Sequence, residues 1–290
     1  MKRTLSLLMA VLMLTAVVLT GCSSGGTTSG AASSSDASSA SSEAESESSA
    51  AEENDLLAQI KEKGTITVAM EGTWAPWTYH DADDNLVGYD VEVAQNIAKK
   101  LGVEVNFVEG EWDGLLAGLD DGRYDIMVNG VGVTEERAEK YNFSTPYAYN
   151  RTAVIVRGDY DEINSMEDLE GKTTANTISS TYATQAEAHG ATVTGVDDLN
   201  QTIELLLAGR VDATLNAEVT YYDYMNQHPD ANLKIAALTD EASLVCIPTR
   251  RGDDSASLRE AINQAIAELS ESGQLSELSE KYFGSDISHE

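Results

Sequence analysis

From Asp55 onward, short apolar runs of strand type alternate with segments whose apolar residues recur every three or four positions. "TITVAM" (65–70) predicts a strand. "YDVEVAQNIAKKLG" places Val93, Ala94, Ile97, Ala98 and Leu101 on one helical stripe and ends at Gly102, a residue suited to the left-handed helix cap. "VEVNFV" predicts a strand, "DGLLAGLDDG" a short helix and "YDIMVNGV" a strand. A second series opens at "TAVIVRG" (152–158) and runs through "GKTTANT", a helical stretch from Tyr182 to His189, "ATVTGV", the helix "LNQTIELLLAG" and "VDATLN". It closes with the Tyr-rich "EVTYYDYMNQHP" and the strand "LKIAAL". "SLVCIPT" is a further strand, able to return the chain to the first series, and helices follow from about Ser255 to Phe283.

Alternation of strands and helices predicts an α/β fold of two lobes, each with a mixed, mostly parallel sheet covered by helices on both faces. Ligands of such sheets lie beyond the carboxyl ends of the strands, so two facing lobes leave a cleft between them. The expected boundaries are 55–149 with 245–290 for lobe 1 and 150–244 for lobe 2. The crossover segments lie near Tyr149 to Thr152 and near Asp240 to Leu244.

The first 54 residues follow neither pattern. Lys2 and Arg3 precede an apolar run from Leu5 to Leu19, too short to span a membrane, and small residues lead to Cys22. Residues 1–22 read as a secretory signal, and "LTGC" looks like a lipobox that leaves Cys22 as the lipid-bearing first residue. Residues 23–54 are rich in Ser, Ala and Glu, without an aromatic or any aliphatic residue larger than Ala, so they cannot offset their chain entropy by burial. They read as a disordered tether. Cys246 is the one other cysteine, so a lipidated Cys22 leaves no intrachain disulfide; its apolar surroundings predict a buried strand residue.

Charge narrows the partners. With 49 acidic and 18 basic residues the formal charge is −31, which disfavours nucleic acid and leaves a lipid anchor as the one expected membrane contact. In "VGVTEERAEKYNFSTPY" Thr134 is a suitable N-cap and Glu135 and Glu136 favour the first turn. Arg137 there opposes the helix dipole at a cost of a few tenths to about 1 kcal/mol. Its guanidinium could grip a carboxylate through two parallel hydrogen bonds, or pair with a neighbouring glutamate at the surface. The four histidines lack metal-ligand spacing, and no nucleophile elbow, phosphate loop or C-x-x-C pair occurs. No catalytic residue, metal or cofactor is expected.

The pieces "GTWAPWTYHDADDNLVGYDVEVAQNIAKKLG", "EWDGLLAGLDDGRYDIMVNGVGVTEERAEKYNFSTPY", "SMEDLEGK", "LLAGRVDATLN" and "LSEKYFG" stand in order along residues 55–284. Through them the chain resembles the extracellular solute-binding proteins, family 3, of polar amino-acid ABC importers, a type II periplasmic binding protein fold. "EWDG" and "EERAEKYNFSTPY" look most like the cystine-binding branch. The resemblance implies a monomer that captures an amino acid, delivers it to permease and ATPase subunits, and sits lipid-anchored outside the cell membrane, or in the periplasm of a host with an outer membrane.

The resemblance also implies roles. Arg137 takes the α-carboxylate, aided by backbone at Asn129, Gly130 and Gly132; Ser180 and Thr181 approach it from the second lobe. Trp74 and Trp112 flank the ligand side chain, Tyr182 adds a wall, and Trp77 belongs to the core. By the same resemblance most relatives place an aspartate shortly after the "GRxDA" strand, where Ala217 stands here. Glu71 is then the first candidate for the α-ammonium, with Asn216 and Glu218 behind it, while Asp212 reads as structural. Two rivals remain: an exported enzyme on the same fold, such as a dehydratase with Glu71 or Glu218 as its cleft acid, and a ligand-sensing subunit.

Overall fold

The computed structural model describes residues 55–290; the expected signal segment with Cys22 and the expected tether lie outside the described residues. In chain order the elements are α1 (Leu56–Lys63), β1 (Thr65–Met70), β2 (Thr73–Trp74), β3 (Thr78–His80), β4 (Leu86–Val87), α2 (Tyr89–Leu101), β5 (Glu104–Glu109), α3 (Trp112–Asp120), β6 (Ile126–Met127), α4 (Glu135–Lys140), β7 (Tyr141–Phe143) and β8 (Ala148–Asn150). The second series follows as β9 (Thr152–Arg157), β10 (Thr173–Thr177), α5 (Thr181–Ala188), β11 (Thr192–Val196), α6 (Leu199–Leu207), β12 (Ala213–Ala217), α7 (Glu218–Gln227) and β13 (Leu233–Leu238). Then come β14 (Ser243–Val245), β15 (Pro248–Arg250), α8 (Ala256–Glu271) and α9 (Gln274–Phe283).

Beside three small sheets of two or three strands, two principal sheets carry the two series, one each, as the two-lobed reading requires. In the first, β1 lies between β5 and β6, all parallel, with Thr65 opposite Glu104. In the second the order is β11-β10-β12-β9-β13; the first three strands are parallel and β9 runs antiparallel to both neighbours. β9 is buried on both faces: Ala153 and Ile155 pack with Ile203 and Leu206 on one side, Val154 and Val156 with Ile163 and Leu169 on the other. That burial explains its unbroken apolar run.

Local chemistry sets the ends of elements. The predicted stripe of α2 is buried at Val93, Ala94, Ile97 and Ala98, half-buried at Leu101, and Gly102 closes the helix at φ 76°. Asp55 caps α1 by accepting from the Ala58 N–H at 2.8 Å. Asp212 accepts from both the N–H and the hydroxyl of Thr173 at 2.8 Å, which ties β12 to β10 as its structural reading requires.

Two strands are shorter than expected. "YDIMVNGV" forms sheet only at Ile126–Met127, because Gly130 turns into the left-handed region at φ 55° and gives its N–H to the Asp90 carboxylate at 2.6 Å. "SLVCIPT" divides into β14 and β15, which pair with β8 and β7 respectively. Cys246 falls between them: it is buried as expected, but outside a strand, with its N–H bonded to Val131. After β15, helices α8 and α9 pack back against α2 beside the first sheet.

Candidate functional site

A cavity opens where the carboxyl ends of the two sheets face each other. Glu71 follows β1, Trp74 belongs to β2, Trp112 begins α3, Gly130 and Gly132 follow β6, and Arg137 lies on α4; all six line it from the side of the first sheet. From the second sheet come Thr177 at the end of β10, Ser180, Thr181 and Tyr182 at the start of α5, Leu199 at the start of α6, and Asn216 in β12.

Arg137 is only 8% exposed. Its Nη1 donates to the Gly132 carbonyl and its Nη2 to the Ser179 carbonyl, each at 2.9 Å, and the guanidinium carbon stands 5.1 Å from the centre of the Trp112 ring. Among the described residues no carboxylate lies within ion-pair distance of it. The neighbouring Glu136 pairs instead with Lys140 at 2.8 Å, which disposes of the surface-pair reading. Desolvation lowers the pKa of Arg137, as expected of a cation held in a poorly hydrated place without a counter-charge. An isolated buried charge costs several kcal/mol, and an anion entering the cavity would offset that cost.

Glu71 supplies the opposite charge. Burial pushes its carboxyl up to about 7, against a stabilising hydrogen bond from Asn129, with Asp198 and Asp113 adding repulsion. Asn129 sits behind it, fully buried: its Nδ2 donates to Glu71 Oε2 and its Oδ1 accepts from the Glu71 N–H, both at 2.7 Å. Asn129 therefore orients Glu71 and does not itself line the cavity.

The remaining expected residues divide. Ser180 caps α5 by accepting from the Ala183 N–H at 3.1 Å, while its own hydroxyl hydrogen stays available. Asn216 turns its side-chain oxygen to the Trp74 Nε1–H at 3.2 Å. Trp77 is fully buried and stacks on Trp74, with centroids 5.3 Å apart. Glu218 departs from the expectation: at the start of α7 it is not among the residues that line the cavity, and it pairs with Arg151 at 2.8 Å while Tyr222 donates to it. Ala217, where the family resemblance leads one to expect an aspartate, is fully buried, and the described residues that line the cavity from the second sheet's side include no acid.

Two cavity residues escaped the sequence reading. Thr177 ends a strand and could have been found from position alone; Leu199 reads as one more apolar residue of a helix stripe.

An α/β protein with its cavity between the carboxyl ends of two principal sheets has the architecture of the solute-binding proteins. The chain belongs to the bacterial extracellular solute-binding proteins, family 3, whose model it matches over residues 66–285. It is 41% identical over 239 residues to the L-cystine-binding protein TcyA of Bacillus subtilis (strain 168), covering 82% of this chain and 88% of that one. Among solved structures, an L-cystine solute receptor of Neisseria gonorrhoeae in its unliganded open conformation is 40% identical over 81% of this chain and all of the other, with a TM-score of 0.57. An ancestral arginine-binding protein bound to arginine is only 35% identical over 76% of this chain and 99% of its own, yet superposes better, at 0.71. Two bonds cross the cavity directly, from the Trp74 indole to Asn216 and from Arg137 to the Ser179 carbonyl, so its two sides are in contact.

Proposed function

We propose that this chain is the substrate-binding lipoprotein of an amino-acid ABC importer, and that it captures L-cystine or a closely similar polar amino acid by closing its lobes. The observation that carries the reading is Arg137: a cation 8% exposed, without a carboxylate partner among the described residues, on the wall of the cleft cavity. One guanidinium and one carboxylate, Glu71, match the two charged ends of a single α-amino-acid head group. Trp74, Trp112 and Tyr182 offer broad aromatic faces to the remainder of the ligand, at little entropic cost. Relatives named for L-cystine binding, at 40 and 41% identity, support the choice of ligand.

In this reading lobe 1 comprises residues 55–149 and 245–290 and lobe 2 comprises 150–244. The paired β8 and β14 then form the crossing about which the lobes turn. Cys22 carries the lipid that tethers the protein, a monomer, outside the cell membrane, from where it hands its ligand to permease and ATPase subunits. In this reading the ligand is returned unchanged.

Isothermal titration of the purified protein with L-cystine, L-arginine and L-glutamine tests the ligand. Binding of L-cystine at least tenfold tighter than the others is expected; tight binding of another of the three with none of L-cystine would overturn the assignment. Cys22→Ala should move the protein from the membrane fraction to the soluble one.

A further inference from the structure

We propose that Trp74 and Asn216 form a latch across the cleft, and that Asn216 serves lobe closure and not the ligand's ammonium group. The proposal rests on the two-lobed binding reading. Trp74 stands on β2 beside the first sheet and Asn216 on β12 of the second, 142 positions apart in the chain, yet the indole Nε1–H meets the amide oxygen at 3.2 Å. Both are buried, at 8% exposure.

Each partner is held rigidly by its own side. The Trp74 ring stacks on Trp77 at an interplanar angle of 15° and lies so close over Gly130 that a Cβ there would stand 2.5 Å from it. Asn216 Oδ1 also accepts from the Ala217 N–H at 2.8 Å. Two donors converge on one atom, which fixes that atom as the oxygen and uses both of its lone pairs. The side chain is left with its NH₂ group, a donor only. An ammonium is likewise a donor only, so Asn216 cannot hold it while the latch is made. The sequence-level candidacy of Asn216 for the ammonium is thereby replaced by a different job.

A second bond crosses beside the first, from Arg137 Nη2 to the Ser179 carbonyl. Ser179 takes φ 61°, an uncommon conformation for a residue with a side chain, and it aims that carbonyl into the cleft. Arg137 is expected to contact the ligand, however, whereas the indole–amide bond is made by the protein alone. Opening the cleft exchanges that bond for bonds to water. A neutral hydrogen bond of this kind shifts such a balance by roughly two- to tenfold.

A double-mutant cycle on the full protein reads the latch: Trp74→Phe, which keeps a ring and removes the donor, Asn216→Ala, and the two combined. Two quantities are measured, the L-cystine dissociation rate by stopped flow and the closed fraction of the ligand-free protein by single-molecule energy transfer between dyes on the two lobes. Each single variant should speed dissociation by about two- to tenfold and lower the closed fraction, and the double variant should be no worse than the more affected single. Additive effects on the rate would mean that the two residues act separately, and a closed fraction identical in all four proteins would mean that the bond does not hold the lobes; either result overturns the latch. Should L-cystine fail to bind at all, the ligand assignment falls, while the ligand-free measurement still decides the latch.

Discussion

If Glu71 holds the ligand's ammonium, binding must expel a proton. The free carboxyl titrates near pH 7 because burial raises it, and an ammonium docked beside it favours the ionised form. At pH 7 roughly half of the free protein carries that proton, at pH 6 about nine-tenths, and at pH 8 less than about a tenth. Each L-cystine bound should therefore release about half a proton at pH 7. Affinity should rise with pH through this window and level off above it, falling about tenfold per unit well below pH 7. Titration calorimetry in two buffers of different ionisation enthalpy measures the release directly. Glu71→Gln keeps the shape and the Asn129 contact but removes the charge. It should abolish the proton release and, by leaving a partly buried ammonium without a counter-ion, weaken binding by about 2–4 kcal/mol, or roughly 30- to 700-fold. Heats independent of buffer between pH 6 and 7 would refute the assignment. So would an undiminished release from Glu71→Gln, since Asp90, the other carboxyl raised to about 7, lies in the core away from the cavity lining and would then be the source.

Three further outcomes are expected. Arg137→Ala should reduce L-cystine affinity by at least a hundredfold with an unchanged far-ultraviolet circular dichroism spectrum, because its guanidinium bonds only two carbonyls and no structural acid; near-native affinity would refute the carboxylate clamp. Asp90 accepts from Tyr147 and from Gly130 inside an aromatic cluster, and its folded pKa lies above its unfolded value, so its contribution to stability is complete below about pH 4 and is lost as pH rises to about 7; the stability of Asp90→Asn, followed by urea unfolding, should fall less than wild type between pH 5 and 8, by up to a few kcal/mol. Cys246 is 2% exposed and burial pushes its thiol up to about 12, so in a Cys22→Ala background a thiol reagent should label the native protein only after denaturant is added, and L-cystine should form no mixed disulfide with it.

Much of this arrangement is readable from the chain because local rules and the global fold agree. The α2 stripe, the Gly102 cap and the doubly buried run of β9 state their structure in residues close together in sequence. Arg137 is legible for the opposite reason: a cation in the first turn of a helix contradicts local preference, and such contradictions mark sites. Most of the failures share a physical cause, dependence on a partner far along the chain. β6 stops short because a carboxylate on α2 captures the Gly130 N–H, and nothing near Gly130 announces Asp90. Glu218 looks available until Arg151, 67 positions away, takes it. The bond from the Trp74 indole to Asn216, 142 positions away, is likewise not announced by anything near Asn216 in the chain. Leu199 is invisible because an apolar residue at a helix start reads the same whether it faces a core or a cavity.

The two charges of the cavity both stand on the side of the first sheet, Glu71 after β1 and Arg137 on α4, whereas the second sheet contributes Thr177, Ser180, Thr181, Tyr182, Leu199 and Asn216, all neutral. In the proposed mechanism a zwitterion can therefore meet both of its charged partners before the lobes close. Closure then adds hydroxyl donors, an aliphatic and an aromatic contact, and the Trp74–Asn216 bond. The overall charge of −31 repels an approaching anion and is indifferent to a neutral zwitterion, so association should depend weakly on salt. Substitutions among the cavity residues on the second sheet's side, Thr181→Val among them, should act on dissociation far more than on association. The absence of an acid at Ala217 fits this division of labour: the ammonium partner sits beside the carboxylate partner, on one rigid face, and the other lobe has only to cover them.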